Sequence, residues 1–404
     1  MKIFIVNSGS SSIKCSLYDF GKTPSLKDKP IWKADLEWKN TFDDATLKIE
    51  TQKGDKLVHN PKEKSAGTAF SSLLNFIFEG KTAVLSSLDE IDIVGHRIVH
   101  GGKYFNKSVL IDSNVKKKIA LLAELAPLHN KEELERVEIL EKLLKNTPQI
   151  AAFDTAFHQS IPKEASIYGG PYNWYEKDIR RYGFHGISFQ YCLSSASTMI
   201  DQDINQLKVL ICHLGSGASL CAIKEGKSID TTMGFTPLEG LIMDTRSGSI
   251  DPGILLYLLE KKKKTIQELS DELYHNSGLL GLSNTSSDMR DIIEGVKNNN
   301  PQCITAFNVY LHHLNKHIGS MIASLNGLDL LIFTAGIGEN SSLLREKVCN
   351  TFSFLKLSLD QQKNALTSSE NRFISSPDSK IKVLVLHTQE DYEIAKECWT
   401  NFSK

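Results

Sequence analysis

Three runs of small residues have the composition of phosphate-binding turns, and each follows an apolar stretch: residues 7–12, 215–219 and 335–340. Glycine lets a backbone N–H group approach a ligand closely, and serine hydroxyls add donors that suit phosphate oxygens. None of the three is a Walker loop, and the segment at Gly215 and Gly217 lacks the third glycine of a Rossmann fingerprint. One such run would predict an ordinary turn, but three in one chain favour a nucleotide site.

Charged and histidine side chains occur near the ends of other strand-like runs. Arg97 and Asp154 each end an apolar run, His185 is flanked by glycines, and Arg246 follows a glycine-containing segment. A lone histidine is more often structural, and a lone arginine more often forms a surface ion pair. Phosphoryl transfer, however, needs backbone donors, a carboxylate-held Mg²⁺ and cations around the transferring group. The sequence contains candidate residues for all three of these roles and therefore predicts an ATP-using phosphotransferase or ATPase.

Other chemistries fit the sequence less well. It contains no H-E-x-x-H motif, and the histidines at 312, 313 and 317 lie on a predicted helix without a matching acid, which disfavours a zinc site. The absence of a G-x-S-x-G elbow disfavours a serine hydrolase. A binding module without a nucleotide would leave the three glycine-containing turns without a purpose.

Composition restricts the class of protein. A chain of 404 residues predicts two or three domains, and a net charge of −1 argues against a nucleic-acid partner. No apolar run approaches the roughly 20 residues that span a bilayer, and the apolar start is too short for a signal peptide. Seven cysteines without a C-x-x-C pair predict buried, free thiols. We therefore expect a cytoplasmic protein with no membrane partner.

The elements that must position these residues alternate between strands and helices. Apolar runs predict strands over 2–6, 13–20, 91–99, 149–153, 207–214, 220–223, 328–333 and 381–386. Periodicity predicts helices over 69–78, 252–262, 265–274, 287–297, 303–326 and 390–399, and two helices within 113–145 that Pro127 separates. This alternation indicates an α/β protein. The opening hairpin recurs after residue 207, and this weak internal repeat predicts two domains of related design.

The motifs together resemble those of the acetate kinase family, in the superfamily of sugar kinases, actin and Hsp70-type ATPases. They occur in the family's order along essentially the whole chain: VNSGSSSIK (6–14), GHRIVHGG (95–102), PLHN (127–130), FDTAFHQSIP (153–162), YGFHGIS (182–188), HLGSGAS (213–219), MGFTPLEGL (233–241), TRSG (245–248), SGLLGLS (277–283) and FTAGIGENS (333–341). The resemblance implies two related actin-like, or ribonuclease H-like, α/β domains with a nucleotide cleft between them. The expected domains are 1–153 with 388–404, and 154–387 for nucleotide binding and dimerisation.

The resemblance also implies a role for each matching residue. The catalytic residues would be Arg97, His129, Asp154, His185 and Arg246, and Asn7 and Glu390 would hold Mg²⁺, which Mn²⁺ can replace. The acceptor would contact Arg97, Val99, Leu128, Phe184 and Pro237. The nucleotide, ATP or ADP, would contact Lys14, His213, Leu214, Gly215, Ser216, Gly217, Asp288, Met289, Arg290, Gly336, Ile337, Gly338, Glu339 and Asn340.

The implied reaction is reversible, Mg-dependent, in-line transfer of the ATP γ-phosphoryl group to acetate, giving acetyl phosphate and ADP in a homodimer. A carboxylic acid is already ionised at neutral pH, so it needs cations and alignment rather than a general base. Val99 favours acetate over propionate, although one methylene changes discrimination by only about 1–3 kcal/mol. The alternatives are a propionate or other short-chain carboxylate kinase, and a catalytically weakened, nucleotide-dependent regulatory protein.

Four residues depart from the family pattern. Ser216 replaces the usual asparagine, Asp244 a glycine, Ser249 an aspartate, and Phe189 a common histidine. We expect the added carboxylate of Asp244 to be able to pair with Arg246 and to weaken its pull on substrate. The principal catalytic residues are unchanged, so we still expect activity.

Overall fold

The computed structural model describes residues 1–9, 12–38, 42–123 and 130–402. His129 and Leu128, both predicted site residues, lie outside these ranges, as do Ser10 and Ser11 of the first predicted turn. The chain divides into two compact units, which are Met1–Phe157 with Gln389–Lys404, and His158–Thr388.

The first unit is built on an eight-stranded sheet in the order β5-β4-β3-β2-β1-β6-β8-β7. The strands are β1 (Lys2–Gly9), β2 (Ser12–Asp19), β3 (Trp32–Glu37), β4 (Thr46–Thr51), β5 (Lys56–His59), β6 (Ile93–Ile98), β7 (Val109–Leu110) and β8 (Gln149–Phe153). β1 pairs antiparallel with β2 but parallel with β6, and β6 pairs parallel with β8. The carboxyl ends of β1, β6 and β8 therefore meet at one edge of the sheet.

Three helices of this unit precede the second one: α1 (Ala66–Leu73), α2 (Ser113–Leu122) and α3 (Asn130–Leu143). The sheet and α1 enclose one core that includes Phe4, Trp32 and Phe70. A smaller core contains the stacked rings of Phe105 and Phe153, whose centroids are 4.3 Å apart. Because Phe153 is the last residue of β8, this stacking anchors the point where Asp154 leaves the sheet.

The second unit has a six-stranded sheet in the order β11-β10-β9-β12-β14-β13. Its strands are β9 (Val209–Leu214), β10 (Ala218–Lys224), β11 (Lys227–Thr231), β12 (Leu330–Thr334), β13 (Arg372–Phe373) and β14 (Lys382–Val385). β9 is antiparallel to β10 and parallel to β12, which is parallel to β14. The carboxyl ends of β9, β12 and β14 thus share one edge.

Eleven helices of the second unit are described: α4 (Lys163–Ser166), α5 (Asn173–Glu176), α6 (Gly186–Ser197), α7 (Pro252–Glu260), α8 (Ile266–His275), α9 (Gly278–Ser283), α10 (Met289–Lys297), α11 (Pro301–Leu325), α12 (Ala335–Asn340), α13 (Ser342–Thr351) and α14 (Gln361–Ala365). The longest, α11, begins with Pro301 behind the capping side chain of Asn300 and ends at Asn326 in the left-handed conformation. These are strong start and stop signals for a helix.

The final helix, α15 (Glu390–Phe402), belongs to the first unit, where it packs on β1 and β6. Gly95 of β6 makes this packing possible. A Cβ atom at Gly95 would lie 2.6 Å from Cys398 Sγ and 2.8 Å from Ile394 Cγ2. The helix therefore sits close enough to the sheet to bring its first residue, Glu390, beside the carboxyl end of β1.

The α/β fold class predicted from the sequence is confirmed. The internal repeat is visible in the strand orders, because β3-β2-β1-β6-β8-β7 of the first sheet matches β11-β10-β9-β12-β14-β13 of the second. All seven cysteines are buried and free, as predicted. Within the described part of the chain, no helix combines the length and apolarity needed to cross a membrane.

Two predicted turns and one missed helix need correction. Residues 7–9 and Ser12, predicted within the turn 7–12, belong to β1 and β2. Residues 335–340, predicted as a turn, form the six-residue helix α12. Helix α6 was not predicted, because it begins at His185 in the left-handed conformation without a side-chain cap. Its serines and aromatic residues have only modest helix propensity, so its local sequence gives little helical signal.

Candidate active site

Four polar residues lie together at the carboxyl-end edge of the first sheet, and we call them the charged cluster: Asn7, Arg97, Asp154 and Glu390. Asn7 lies near the end of β1, Arg97 near the end of β6, and Asp154 directly after β8. Glu390 is the first residue of α15. The parallel pairing of the three strands brings together residues far apart in sequence.

Arg97 and Asp154 form a two-pronged ion pair. Arg97 Nη2 lies 2.5 Å from Asp154 Oδ2, and Arg97 Nε lies 3.2 Å from Oδ1. The side chains are 14% and 1% exposed. Burial lowers the pKa of Arg97, but the charges of Asp154 and Glu390 oppose this and raise it overall. The guanidinium is therefore permanently charged and held in one orientation.

Asn7 connects the arginine to the carboxylates of α15. Its Oδ1 accepts from Arg97 Nη1 at 3.5 Å, and its Nδ2 donates to Glu390 Oε2 at 3.2 Å. Nδ2 also lies 3.3 Å from Asp391 Oδ1. Burial raises the pKa of Glu390, while Arg97 lowers it. A carboxylate with a raised pKa is one that a cation at the same place would stabilise in its charged form.

This donor set fits Mg²⁺ carried on a nucleotide. Among the described residues, no three His, Cys, Asp or Glu side chains are grouped to hold a metal ion alone. Mg²⁺ does not need such a cage, because it commonly binds through one or two carboxylates with waters and phosphate oxygens completing the octahedron. Glu390 and Asp154 supply oxygens of the type required, and the Asn7 amide fixes the direction of Glu390.

The segment after β6 is held by the first turn of α3. Val99 N–H donates to Glu133 Oε2 at 3.0 Å. Asn130 accepts from His100 N–H at 3.2 Å and donates to the His100 carbonyl at 3.0 Å. Val99 and Glu133 are both buried. The predicted acceptor residue Val99 is thus fixed through its backbone.

In the second unit, His185 lies against the turn that follows β9. His185 has φ 58° and begins α6. Its Nδ1 is 2.8 Å from Ser219 Oγ, and its ring stacks on His213 with centroids 4.1 Å apart. A Cβ at Gly217 would lie 3.2 Å from His185 Nε2 and 3.9 Å from Arg246 Nη1. Three of the predicted residues therefore converge on one point.

Arg246 contacts a backbone oxygen of the preceding segment. Its Nη1 donates to the Pro237 carbonyl at 3.2 Å. The neighbouring Asp244 accepts from Thr245 N–H at 2.7 Å, and its own N–H donates to the Ser216 carbonyl at 3.3 Å. Burial raises the pKa of Asp244, while Thr245 N–H and Arg246 lower it. Two of the residues that depart from the family pattern, Ser216 and Asp244, are therefore direct neighbours.

The other two departures are part of the packing. Phe189 is fully buried, with its ring edge-on to His213 and His158 at centroid distances of 6.3 and 5.6 Å. Ser249 Oγ accepts from Gly240 N–H at 3.0 Å and closes the loop that contains Arg246.

A cavity of about 630 Å³ lies in the second unit. Its lining residues are Gly215, Ser216, Asp244, Ser287, Asp288, Met289, Arg290, Ile293, Gly336, Ile337, Asn340 and Ser341. Eight of these were predicted as nucleotide contacts. The size is within the range of small-molecule sites, and the mixture of apolar side chains with a few polar groups is typical of them.

The remaining predicted nucleotide residues do not line this cavity. Lys14 is exposed in the first unit, opposite Asn7 in the β1–β2 register. Leu214, Gly338 and His213 are buried. Glu339 instead accepts from Thr388 N–H at 3.3 Å and lies 2.6 Å from His387 Nδ1.

The remaining predicted acceptor residues differ in burial. Phe184 is buried, and its carbonyl lies 2.9 Å from His158 Nε2. Pro237 is half-buried beside Arg246.

Sequence analysis missed several residues of these sites. Ser287 and Ser341 lie at the start of helices, and Ile293 is one turn after Met289 on α10. Helix periodicity could have identified Ile293 as sharing a face with Met289. Glu133 gave no signal, because a glutamate in an amphipathic helix normally predicts a solvent-facing position.

In open α/β sheets, ligands bind beyond the carboxyl ends of parallel strands, and both units gather polar groups there. This places the protein in the broad class of α/β proteins with sites built on strand ends. The profile of the acetokinase family matches residues 2–396. The chain belongs to this family.

Individual relatives extend the comparison over the full length. The chain is 51% identical to the acetate kinase of Rippkaea orientalis (strain PCC 8801 / RF-1), over 99% of this chain and all of the relative. It is 47% identical to that of Nostoc punctiforme (strain ATCC 29133 / PCC 73102), over 99% of each chain. The structure of Porphyromonas gingivalis acetate kinase superposes with a TM-score of 0.90 at 37% identity, covering 99% of each chain.

Proposed function

We propose that this protein is an acetate kinase that transfers the γ-phosphoryl group of ATP to acetate, reversibly. The observation that carries this proposal is the similarity to acetate kinases over essentially the whole chain. About half of all positions are identical in the Rippkaea orientalis protein. The cavity of the second unit, Arg97 near the end of β6 and Arg246 in the loop after β11 are groups of the kind that such a reaction requires.

In the first unit, Arg97 would bind the carboxylate of acetate. Its charge is permanent, and Asp154 fixes the plane of the guanidinium by two hydrogen bonds. Asp154, Asn7 and the Ser8 carbonyl together engage four of its five N–H groups, so the guanidinium is fixed in orientation and offers an anion its charge and one Nη2 N–H. Val99, clamped through its backbone, would meet the methyl group of the acceptor.

In the second unit, His185, Gly217 and Arg246 would surround the transferring phosphoryl group. Their convergence places an imidazole nitrogen, a backbone segment and a guanidinium around one point. Such donors stabilise charge on the equatorial oxygens without having to reorganise during the reaction. The acetate oxygen attacks phosphorus as the bond to the ADP oxygen breaks, and no proton needs to move.

The cavity of the second unit would hold the nucleoside. Met289, Ile293 and Ile337 offer apolar surface to a base, and the polar groups of Asp288 and Asn340 suit ribose hydroxyls. The turn at Gly215 would lie next to the phosphates. Glu390 and Asn7 would hold Mg²⁺, which when bound neutralises phosphate charge.

Propionate is the second candidate acceptor. The propionate kinase of Francisella tularensis subsp. tularensis SCHU S4 superposes with a TM-score of 0.89 at 34% identity, covering 99% of each chain. Retention of valine at position 99 favours acetate, because a larger acceptor would need more room beside the Val99 side chain, which would form one wall of the acceptor site.

The decisive experiment measures ADP release from Mg-ATP with acetate, propionate, butyrate or no acceptor. We expect acetate-dependent turnover greater than that with propionate, and its collapse in Arg246→Ala. Faster turnover with propionate would keep the mechanism and change the substrate. ATP binding without any acceptor-dependent turnover would reject the kinase and favour a nucleotide-dependent regulatory role.

We propose that the protein is a homodimer through the second unit. Helix α7 has no buried residue although it is almost entirely apolar, and Leu256 is 61% exposed. Ile254, Tyr257 and Ile266 are also exposed nearby in sequence. An apolar helix that leaves this many large side chains exposed is typical of an interface.

The dimer is tested by size-exclusion chromatography with light scattering. We expect Leu256→Glu to dissociate the dimer. Leu110→Glu is a matched control, because Leu110 is equally exposed (59%) but lies in the first unit. A monomeric wild-type protein would reject the proposal.

We also propose a cytoplasmic location. Seven unpaired cysteines are typical of proteins in a reducing compartment.

A further inference from the structure

Glu133 is an unusual residue that contacts Val99, two positions after Arg97 of the charged cluster. Its side chain is only 3% exposed, although glutamate is rarely buried without a partner. One oxygen, Oε2, accepts from Val99 N–H. The other, Oε1, has no hydrogen-bond partner among the described residues. Nothing in the proposed mechanism uses this residue.

The position of Glu133 relates it to the acceptor wall. Val99 follows β6 directly, so its N–H has left the strand ladder and needs another acceptor. Glu133 provides it across 34 positions of sequence. Asn130, one turn earlier on α3, holds both backbone groups of His100. The first turn of α3 therefore fixes the segment that carries the Val99 side chain.

The electrostatic environment of Glu133 shows that its carboxyl group lies close to Arg97. Burial raises the pKa of Glu133 to about 8, while Arg97 and Val99 N–H lower it and Asp154 and Glu132 raise it. A carboxyl group in this state is largely neutral at pH 7 and still accepts a hydrogen bond through its carbonyl oxygen. Among the described residues the hydrogen bond from Val99 N–H is the contact that this carboxyl group makes, so holding Val99 is the role that its geometry supports.

We infer that Glu133 is a positioning residue that holds the Val99 wall of the acceptor site and thereby sets the preference for acetate over longer carboxylic acids. The inference rests on the proposed function. If the hydrogen bond is lost, the wall at Val99 can move away from the methyl group, which weakens the contact with acetate and admits an additional methylene.

The test compares Glu133→Ala, Glu133→Gln and the exposed Glu138→Gln of the same helix. We expect Glu133→Ala to raise KM for acetate about tenfold with kcat changed by less than about threefold, as for loss of uniform substrate binding. The acetate-to-propionate ratio of kcat/KM should fall about fivefold or more, which is within the discrimination that one methylene group gives. KM for ATP should not change.

The conservative variant separates positioning from general stability. Glu133→Gln keeps an oxygen acceptor for Val99 N–H, so its acetate KM and selectivity should return to within about twofold of wild type, like those of Glu138→Gln. Hydrogen–deuterium exchange supplies a readout independent of turnover. The Val99 amide should exchange faster in Glu133→Ala but not in Glu133→Gln.

The possible failures are distinguishable. If wild type turns over acetate and Glu133→Ala alters acetate and propionate kinetics by the same factor, the inference is overturned and the proposed function stands. Unchanged protection of the Val99 amide in Glu133→Ala would also overturn it. If wild type shows no acceptor-dependent turnover, the proposed function fails and the acceptor role of Glu133 fails with it.

Discussion

The two sheets share six strands in the same order, but the groups at their carboxyl ends differ in kind. In the first unit these groups are ions: Arg97, Asp154 and Glu390 influence one another directly. In the second unit they are glycines, stacked histidines and one arginine on a backbone carbonyl. The same scaffold therefore orients one set of groups by charge and the other by backbone geometry. Substitutions should reduce stability in the first unit and mainly activity in the second.

The largest effect should come from the two arginines, whose loss tests what both units have in common. We expect Arg97→Ala and Arg246→Ala each to lower kcat/KM for acetate about a thousandfold, near the roughly 4 kcal/mol measured for the strongest transition-state donors. Steady-state kinetics with acetate and Mg-ATP measure this.

Lysine substitutions then distinguish the two arginines, one of which lies in each unit. Arg97→Lys cannot reproduce the two-pronged contact with Asp154, whereas Arg246→Lys can still donate to the Pro237 carbonyl. We expect Arg246→Lys to recover more activity than Arg97→Lys. Equal recovery would show that the difference in anchoring has no functional consequence.

Asp154 tests the stability side of the comparison. Asp154→Ala leaves the charge of Arg97 buried without its main partner, and breaking a buried pair in this way costs about 3–5 kcal/mol. Arg246→Ala should lower the free energy of unfolding by about 1 kcal/mol, the centre of the range for single substitutions, because the half-buried arginine bonds a backbone carbonyl rather than forming a two-pronged ion pair. Urea unfolding followed by circular dichroism measures both. A smaller loss for Asp154→Ala than for Arg246→Ala would contradict the comparison.

The sequence predicted the strands better than the contacts between them. The β8 strand has the predicted bounds, 149–153, because every residue of it is buried and the whole run is apolar apart from Gln149. The start of α6 was not predictable, since its left-handed His185 makes its side-chain contacts with Ser219 of β10 and His213 of β9. Local propensity contains no information about such tertiary contacts.

The candidate site shows the same limit. Motifs indicated which residues to consider, and the parallel strands explain why Arg97 and Asp154 meet. Glu133 could not be found this way, because its hydrogen-bond partner is the backbone of Val99, which follows β6 and lies 34 positions earlier in the sequence. Its neighbours on α3 are ordinary charged residues.

The buried acid of the first unit should also appear in pH dependence. The pKa of Glu133 is about 8 in the folded protein, above its ordinary value of 4.5. Between these values the folded state binds a proton that the unfolded state does not, so the free energy of unfolding falls as pH rises and levels off above pH 8. We expect Glu133 to contribute a loss of about 2 kcal/mol between pH 6 and 8.

Glu133→Gln removes this titration while keeping the side-chain shape. Urea unfolding of wild type and variant at pH 6, 7 and 8 gives the difference directly. The two curves should diverge towards low pH, where the proton stabilises only wild type. Parallel curves would mean that Glu133 titrates normally in the folded state.

Substitution of Gly217 tests whether backbone geometry positions His185 in the second unit. An alanine Cβ there would lie 3.2 Å from His185 Nε2, so the ring must move. We expect Gly217→Ala to lower kcat about tenfold, as misplacement of a positioning contact does, with little change in thermal stability. Gly319→Ala is the matched control, because a Cβ there would meet no atom within 4 Å apart from its chain neighbours and the backbone of its own helix. If both variants behave like wild type, His185 is not constrained by this turn.

Asp244 gives the smallest expected effect. It tests the comparison because it places a carboxylate beside Ser216, among groups that are otherwise oriented by backbone geometry. It lines the cavity beside Ser216, and burial raises its pKa. A carboxylate there repels the phosphates of ATP and lowers the effective charge of Arg246. We therefore expect Asp244→Gly to lower KM for ATP about threefold, a change of roughly 0.6 kcal/mol, which is typical of a partly screened charge. The effect should shrink at high salt, since screening weakens interactions between solvent-accessible charges. A higher KM for ATP in Asp244→Gly would instead mean that the carboxylate binds the nucleotide, for example through ribose hydroxyls, and that charge contributes to recognition in both units.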